Sequence, residues 1–190
     1  MKRKFTKAIL AAAITAMPLA ASEYELETES LFAVEGGASS IDVDVAGPTA
    51  LTVEDDLVGN IGLKIGAQSE HYRVFLSARY YSVADLDSLY TFGGELQYMF
   101  NFSKYANFFV GGNVGKAIME VTSSGGSGKS LYYGGDAGFN IHAGEHFDIE
   151  LGARYMHLND EVTPAGSAYT FKFNSIVTGY ASLILKWQMD

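Results

Sequence analysis

Apolar and polar side chains alternate with period two along most of the chain. In one segment, Val74, Leu76 and Ala78 alternate with Ser77 and Arg79. Successive side chains on a β-strand point to opposite faces, so this pattern predicts a strand with one apolar face. The same alternation recurs at residues 90–100, 131–141 and 147–155, and weaker forms of it at 31–41, 59–67, 107–118 and 174–187. We therefore predict eight strands, most of them about 9–12 residues long.

The predicted connections alternate in length. Short turns are expected at 68–71, 101–106 and 143–146, and longer loops rich in glycine, serine or acidic residues at 42–58, 121–130 and 159–169. A shorter connection at 84–89 lies on the same side as the long loops. This order predicts neighbouring antiparallel strands with all the long loops at one end.

The two faces of the predicted sheet differ in a way that indicates its surroundings. One face carries bulky apolar and aromatic side chains, and the other carries glycine, serine, asparagine and charged residues. Eight strands enclose a barrel just wide enough for side chains to fill. We expect bulky residues not to fit inside, so that they face lipid while small and charged residues face inward. The predicted fold is all-β: an eight-stranded antiparallel up-and-down transmembrane β-barrel.

Aromatic residues are expected to mark both membrane interfaces. One group lies at the long-loop ends and the other at the short-turn ends, as two interfacial girdles would. The first group is Tyr80, Tyr81, Tyr90, Tyr132, Tyr133 and Tyr155, and the second is Tyr72, Phe100, Tyr105, Phe108, Phe147 and Trp187.

The N-terminus has the pattern of a secretory signal. Lys2, Arg3, Lys4 and Lys7 precede an apolar stretch from Ala8 to Ala16, and Ala20-Ala21-Ser22 provides small residues before a cleavage site. A membrane anchor would need about 20 apolar residues, so this alternative fails on length. We predict a signal peptide at 1–22 and a barrel domain at 23–190.

With this strand pattern, the chain resembles the small eight-stranded outer-membrane barrels of Gram-negative bacteria, the OmpA transmembrane domain and OmpX group. The resemblance covers the whole mature chain and is architectural. It implies short periplasmic turns, longer exposed loops and delivery to the outer membrane. Such barrels usually end on an aromatic residue, whereas this chain ends Trp187-Gln188-Met189-Asp190. The resemblance does not extend to the peptidoglycan-binding domain of full OmpA-type proteins.

Charge and composition limit the range of partners and cofactors that the sequence predicts. A net charge of −9 argues against nucleic acid, since phosphate binding needs clustered lysine and arginine. The chain has no cysteine, which removes disulfides and thiolate zinc sites, and no cofactor signature is visible. Solvated charge is the preferred interpretation of the acidic first loop, with calcium binding as the alternative. That loop contains Asp42, Asp44, Glu54, Asp55 and Asp56.

Some outer-membrane barrels modify lipid A, so catalytic residues need consideration. The deacylases of this architecture have a His-x-Ser signature, which none of His71, His142, His146 and His157 matches. A palmitoyltransferase of this architecture pairs a histidine with Asp-Ser. Asp87-Ser88 and His157 are present here, but the first outer loop contains no histidine. We predict no catalytic site.

Charged residues on the polar face are expected to meet inside the barrel. Two registers of the third and fourth strands stay open: one sets Arg79 directly opposite Glu95, and the other leaves them diagonal. The sixth and seventh strands are expected to set Asp136 opposite Arg154, with Glu150 on the same face. Because unpaired charges in so enclosed a space are costly, we predict a lumen network of Arg73, Arg79, Glu95, Asp136, Glu150 and Arg154.

Lys116 falls in the nominally outward set, where it either reaches toward lipid phosphates or is turned inward by a local bulge.

Three functions follow from these features. The leading hypothesis is a monomeric structural or surface-interaction barrel that contacts outer-membrane lipids and lipopolysaccharide and presents its loops to an extracellular or host ligand. A narrow porin-like channel is the second, because glycines on the inward face could leave water-filled space. A lipid A-modifying enzyme is the third.

Overall fold

Eight antiparallel strands close into a barrel in the computed structural model. It describes residues 28–46, 57–82, 88–121, 126–162 and 170–188. Each strand pairs with its neighbours in sequence, and β1 pairs with β8 to close the sheet. No helix in these ranges is long and apolar enough to cross a membrane. The strands are β1 (Glu29–Ala46), β2 (Val58–Gln68), β3 (Tyr72–Ser82), β4 (Ser88–Ser103), β5 (Ala106–Val121), β6 (Gly126–His142), β7 (Phe147–Val162) and β8 (Thr170–Gln188).

The predicted strand number and antiparallel order are confirmed, but several strands are longer than predicted. β1 has 18 residues and β8 has 19, because both continue past the apolar pattern toward the long loops. Backbone pairing holds these extensions together, with Asp44 opposite Lys172 and register shifts between Asp42 and Val43 and between His157 and Asp160. The three short turns lie where predicted, so the barrel has a short-turn end and a long-loop end.

Inward and outward positions alternate as the sequence predicts. On β2, Leu63 and Ile65 are 51% and 55% exposed, whereas Lys64 between them is 1% exposed. Every strand exposes large apolar or aromatic residues, in the pattern of a lipid-facing wall.

The interior nevertheless holds large rings, although bulky residues are expected not to fit inside so small a barrel. Phe75, Tyr81, Phe109 and Tyr132 are buried in the lumen, and so is Tyr180. They fit because inward glycines leave the wall flat.

Tyr132 and Tyr180 each pack an aromatic ring against an inward glycine. The ring of Tyr132 lies over Gly115, and a Cβ added to this glycine would be 2.6 Å from the ring. The hydroxyl of Tyr132 lies near Gly93, and a Cβ added there would be 2.1 Å from the hydroxyl oxygen. Tyr180 covers Gly152 in the same way, at 2.6 Å. The glycine-lined surface is therefore filled by aromatic side chains, which contradicts the expectation that large residues would not fit.

The aromatic girdles are confirmed in part. At the long-loop end, Tyr80 and Tyr90 contact each other with ring centroids 5.3 Å apart, and Tyr133 and Tyr155 are exposed. Tyr81 and Tyr132, predicted to belong to this girdle, instead point into the lumen, because they have the inward parity of their strands. At the short-turn end, the exposed residues are Tyr72, Phe100, Tyr105, Phe147 and Trp187, with half-buried Phe108 between the Phe100 and Phe139 rings.

Neither predicted register of β3 and β4 is correct. The structure places Arg79 opposite Thr91, and Glu95 opposite Phe75. The reason is that β4 begins at Ser88, inside the segment predicted to be loop, which shifts the hairpin. The pairing of β6 and β7 sets Asp136 opposite Arg154, as predicted.

Candidate functional site: the charged lumen

Eight buried charged side chains meet in the middle of the barrel, and we call them the lumen network. Each is no more than 2% exposed. The strands that carry them place all eight on inward positions, where apolar neighbours on both sides face outward. The members are Glu35, Lys64, Arg73, Arg79, Glu95, Asp148, Glu150 and Arg154.

Two arginines and two glutamates form a closed ring within the network. Arg154 donates from both terminal nitrogens to Glu35, with Nη1–Oε1 and Nη2–Oε2 distances of 2.8 and 2.9 Å. Arg79 donates from Nε to Glu35 Oε1 at 2.8 Å and from Nη2 to Glu95. Arg154 Nη2 lies 3.7 Å from the other oxygen of Glu95, which completes the ring. Four strands, β1, β3, β4 and β7, are thereby joined across the lumen.

Lys64 links this ring to the short-turn half of the network. Its Nζ lies 3.3 Å from Glu35 and 2.7 Å from Glu150. Arg73 then contacts Glu150 at 3.2 Å and Asp148 at 3.3 Å, and it also donates to Asn140. The charges therefore form one continuous chain of ion pairs from mid-lumen toward the short turns.

Aromatic faces lie over several cations of the network. The guanidinium carbon of Arg154 lies 4.3 Å from the centre of the Tyr180 ring. Lys64 lies between the rings of Phe75 and Tyr180, at 4.9 and 5.2 Å. Rings at these distances attract cations, so they stabilise positive charges that are removed from water.

Five of the six predicted site residues join the lumen network, and the sixth forms a different contact. All six lie in the lumen, and Arg73, Arg79, Glu95, Glu150 and Arg154 join the network. Asp136 lies opposite Arg154 but forms no ion pair with a described residue; it accepts a hydrogen bond from Gln97 Nε2 at 2.8 Å. Arg79 and Glu95 are not opposite each other in the strand register. Their side chains are nevertheless in contact, because the long arginine side chain leans along the strand.

Sequence reasoning missed Glu35, Lys64 and Asp148. Lys64 carries a usable signal, because it lies between the outward residues Leu63 and Ile65. Glu35 lies between Val34, which is 42% exposed, and Gly36. The prediction considered charges in two hairpins only, whereas Glu35 meets its partners across the lumen.

Above the network, toward the long loops, an apolar cluster fills the lumen. Tyr81 and Tyr132 are its largest members, and it also contains Met119, Met156 and Phe173. The full cluster is Ile41, Val58, Tyr81, Leu89, Ala117, Met119, Tyr132, Met156, Leu158, Phe173 and Ile176. Two layers of opposite chemistry thus follow each other along the barrel axis.

Below the network, the barrel opens into a vestibule of about 620 Å³ at the short-turn end. Its lining includes Gln68, Asn107 and His142. His142 Nδ1 lies 2.8 Å from Asp148, and Gln68 accepts hydrogen bonds from Arg73. The lumen network therefore forms the inner end of this vestibule.

The other candidate residues are not brought together. His157 faces outward and contacts the Tyr133 ring at 5.2 Å, whereas Asp87 lies outside the described residues. Glu54, Asp55 and Asp56 of the acidic loop also lie outside them, as does the predicted signal peptide at 1–22. Within the described ranges, no three His, Cys, Asp or Glu side chains are arranged to hold a metal ion.

An eight-stranded barrel with an apolar outer wall, aromatic girdles and a charged lumen has the features of an outer-membrane barrel. The sequence profile described as outer membrane protein beta-barrel domain matches residues 8–181. The chain belongs to this family, which indicates the outer membrane as its location. A comparison with curated protein sequences gives no match.

Solved structures show the same fold. Neisserial surface protein A is 16% identical with a TM-score of 0.63, covering 84% of this chain and 97% of its own. The N-terminal β-barrel domain of Pseudomonas aeruginosa OprF is 10% identical with a TM-score of 0.56, covering 85% and 98%. The outer membrane protein OprG of the same species is 15% identical with a TM-score of 0.56, covering 84% and 97%.

Proposed function

We propose that the protein is a monomeric, non-enzymatic and non-conducting barrel of the outer membrane, with a structural and surface-interaction role. The observation that carries this proposal is the double filling of the lumen by the charged network and the apolar cluster. Ions entering the vestibule meet charges that are already paired with one another, and beyond these an apolar layer. The surfaces that interact with other molecules are then the outer wall, which contacts lipid, and the long loops, which face an extracellular or host ligand.

The orientation and export route belong to the same proposal. Residues 1–22 direct secretion and are removed before Glu23, the short turns face the periplasm and the long loops face outward. N-terminal sequencing of protein from the outer-membrane fraction tests the cleavage, with Glu23 expected as the first residue. Protease added to intact cells should cut within 47–56 or 163–169 but leave the three short turns intact.

Planar-bilayer recording on refolded protein tests the sealed lumen. We expect no discrete conductance steps from the wild type. The matched variant combines Arg79→Ser with Arg154→Ser, which removes both arginines of the ring. We expect this variant to conduct ions although the wild type does not. Stepwise, ion-selective conductance by the wild type would instead support the narrow channel.

A gene deletion separates the three function classes. Loss of the structural role should raise sensitivity to detergent or reduce attachment to surfaces, with lipid A mass spectra unchanged. A missing acyl-chain modification in the deletion strain would contradict the non-enzymatic proposal. Slower uptake of small solutes without either change would favour a channel.

A further inference from the structure

Lys116 lies on the lipid-facing wall of the barrel, with apolar residues on every side. Along the outward face of β5, Val114 precedes it and Ile118 follows it. On the neighbouring strands it faces Phe92 and Leu131, which are 50% and 64% exposed. Of the two orientations left open by the sequence, the structure shows the outward one.

A second lysine lies diagonally beside the first. Lys129 on β6 faces Ile118, is exposed and has the same outward parity as Leu131. Diagonal neighbours on adjacent strands are about 7–8 Å apart, within the joint reach of two lysine side chains. Neither lysine forms an ion pair with a carboxylate whose side chain is described.

The two lysines lie at the height of the long-loop girdle. Tyr90 faces Ile118 on one side, and Tyr133 faces Val114 on the other. Tyrosines of this kind mark the level where lipid head groups begin. A charged residue on the lipid face costs only about 0–1 kcal/mol near the interface, and a lysine stem can lie on apolar surface while its amine reaches the head groups.

We infer that Lys116 and Lys129 together bind a phosphate group of lipid A in the outer leaflet. Two ammonium groups offer six N–H donors to one phosphate, and such charge-assisted hydrogen bonds are the strong ones. The surrounding Phe92, Leu131 and Val114 offer contacts to acyl chains, which a free phosphate ion lacks. The inference rests on the orientation in the proposed function, since only the outer leaflet carries lipid A.

Lys172 is a third lysine at the same end of the barrel, and its position in the strand register differs from that of the other two. It is exposed on β8, but its register neighbours are Asp44 on β1 and Glu161 on β7. It therefore stands between two acidic residues in the strand register, which neither Lys116 nor Lys129 does, and serves as the matched control.

The test compares lipid retention by refolded protein in neutral detergent micelles, measured by native mass spectrometry. The proteins are the wild type, Lys116→Gln with Lys129→Gln, and Lys172→Gln. Each is titrated with bisphosphorylated lipid A, with the same lipid lacking its phosphates, and with inorganic phosphate as competitor. We expect the double variant to bind phosphorylated lipid A about ten-fold more weakly than the wild type, and Lys172→Gln to bind like the wild type.

The outcomes are distinct. Equal binding of the two lipids by the wild type would show that acyl chains alone are recognised and would overturn the inference without any variant. Displacement of lipid A by millimolar inorganic phosphate would show a free-anion site and overturn it as well. Conductance of the wild type would contradict the sealed lumen while leaving this binding result intact, so the two proposals fail separately.

Discussion

Glu35 and Arg154 form a two-bonded ion pair between strands that are not neighbours. Their paired oxygens and nitrogens are 2.8 and 2.9 Å apart, and β8 lies between β7 and β1 in the sheet. The pair thus crosses the lumen instead of following the strand ladder. Both side chains are buried, so removal of one takes a principal partner from a charge that water does not reach, although Arg79 and Lys64 also contact Glu35.

Replacing Arg154 with alanine should destabilise the barrel by about 3–5 kcal/mol, because Glu35 loses its two-bonded partner and Tyr180 loses the cation on its face. Urea unfolding in lipid vesicles measures the loss. Lys104→Ala, which changes an exposed lysine in a short turn, should alter the free energy of unfolding by under about 0.5 kcal/mol. Equal effects from the two variants would contradict a structural role for the ion pair.

A double-mutant cycle separates ion-pair partners from register neighbours. Arg79→Ala should be coupled to Glu95→Ala, whose side chain it contacts, by about 1–3 kcal/mol. It should show little coupling to Thr91→Ala, although Thr91 is its direct neighbour across the strands. Coupling to Thr91 alone would mean that the side chain does not lean toward Glu95.

The inward glycines should resist even the smallest side chain. Gly152→Ala is expected to destabilise the barrel by more than about 1 kcal/mol, because the new Cβ would lie 2.6 Å from the Tyr180 ring. Gly179→Ala is the control, since its Cβ would have no atom within 4 Å. The comparison uses unfolding midpoints of both variants, and a similar shift for both would show that the ring does not depend on the glycine.

The mature chain should fold only where its outer wall has an apolar environment. Circular dichroism should show a strand-rich spectrum in micelles or bilayers but not in plain buffer. Unboiled samples should migrate differently on electrophoresis, because a closed barrel has no free strand edge. A soluble, folded monomer in buffer would contradict the membrane assignment.

Strand parity predicts most of the fold and the orientation of individual side chains. It places Arg79, Glu95 and Arg154 inside because their neighbours on both sides face outward. It applies equally to Lys64, Tyr81 and Tyr132. For the two tyrosines, residue type predicts a place at the interface whereas parity predicts the lumen, and parity is correct. Tyrosine is common at interfaces, but Tyr81 follows the inward series of β3.

Contacts across the lumen could not be predicted from the pattern. Whether Arg154 meets Glu35 depends on strand tilt and on the stagger between strands. The β3–β4 hairpin illustrates the limit: a strand start at Ser88 moved the register and left Arg79 facing Thr91. Periodicity is insensitive to such a shift when it is an even number of residues, because the same face stays inward.

The way the ends of the chain meet bears on the order of assembly. Glu29 pairs with Gln188 where β1 closes on β8, so the last pairing joins segments that are farthest apart in sequence. Until that seam forms, Glu35 is held away from Arg154, and Lys64 and Arg73 are held away from Glu150. A partly inserted sheet therefore carries unpaired charges on its concave side, and these charges raise the free energy of every partly inserted intermediate. Insertion and closure should consequently occur as one cooperative event, with truncated chains left outside the bilayer.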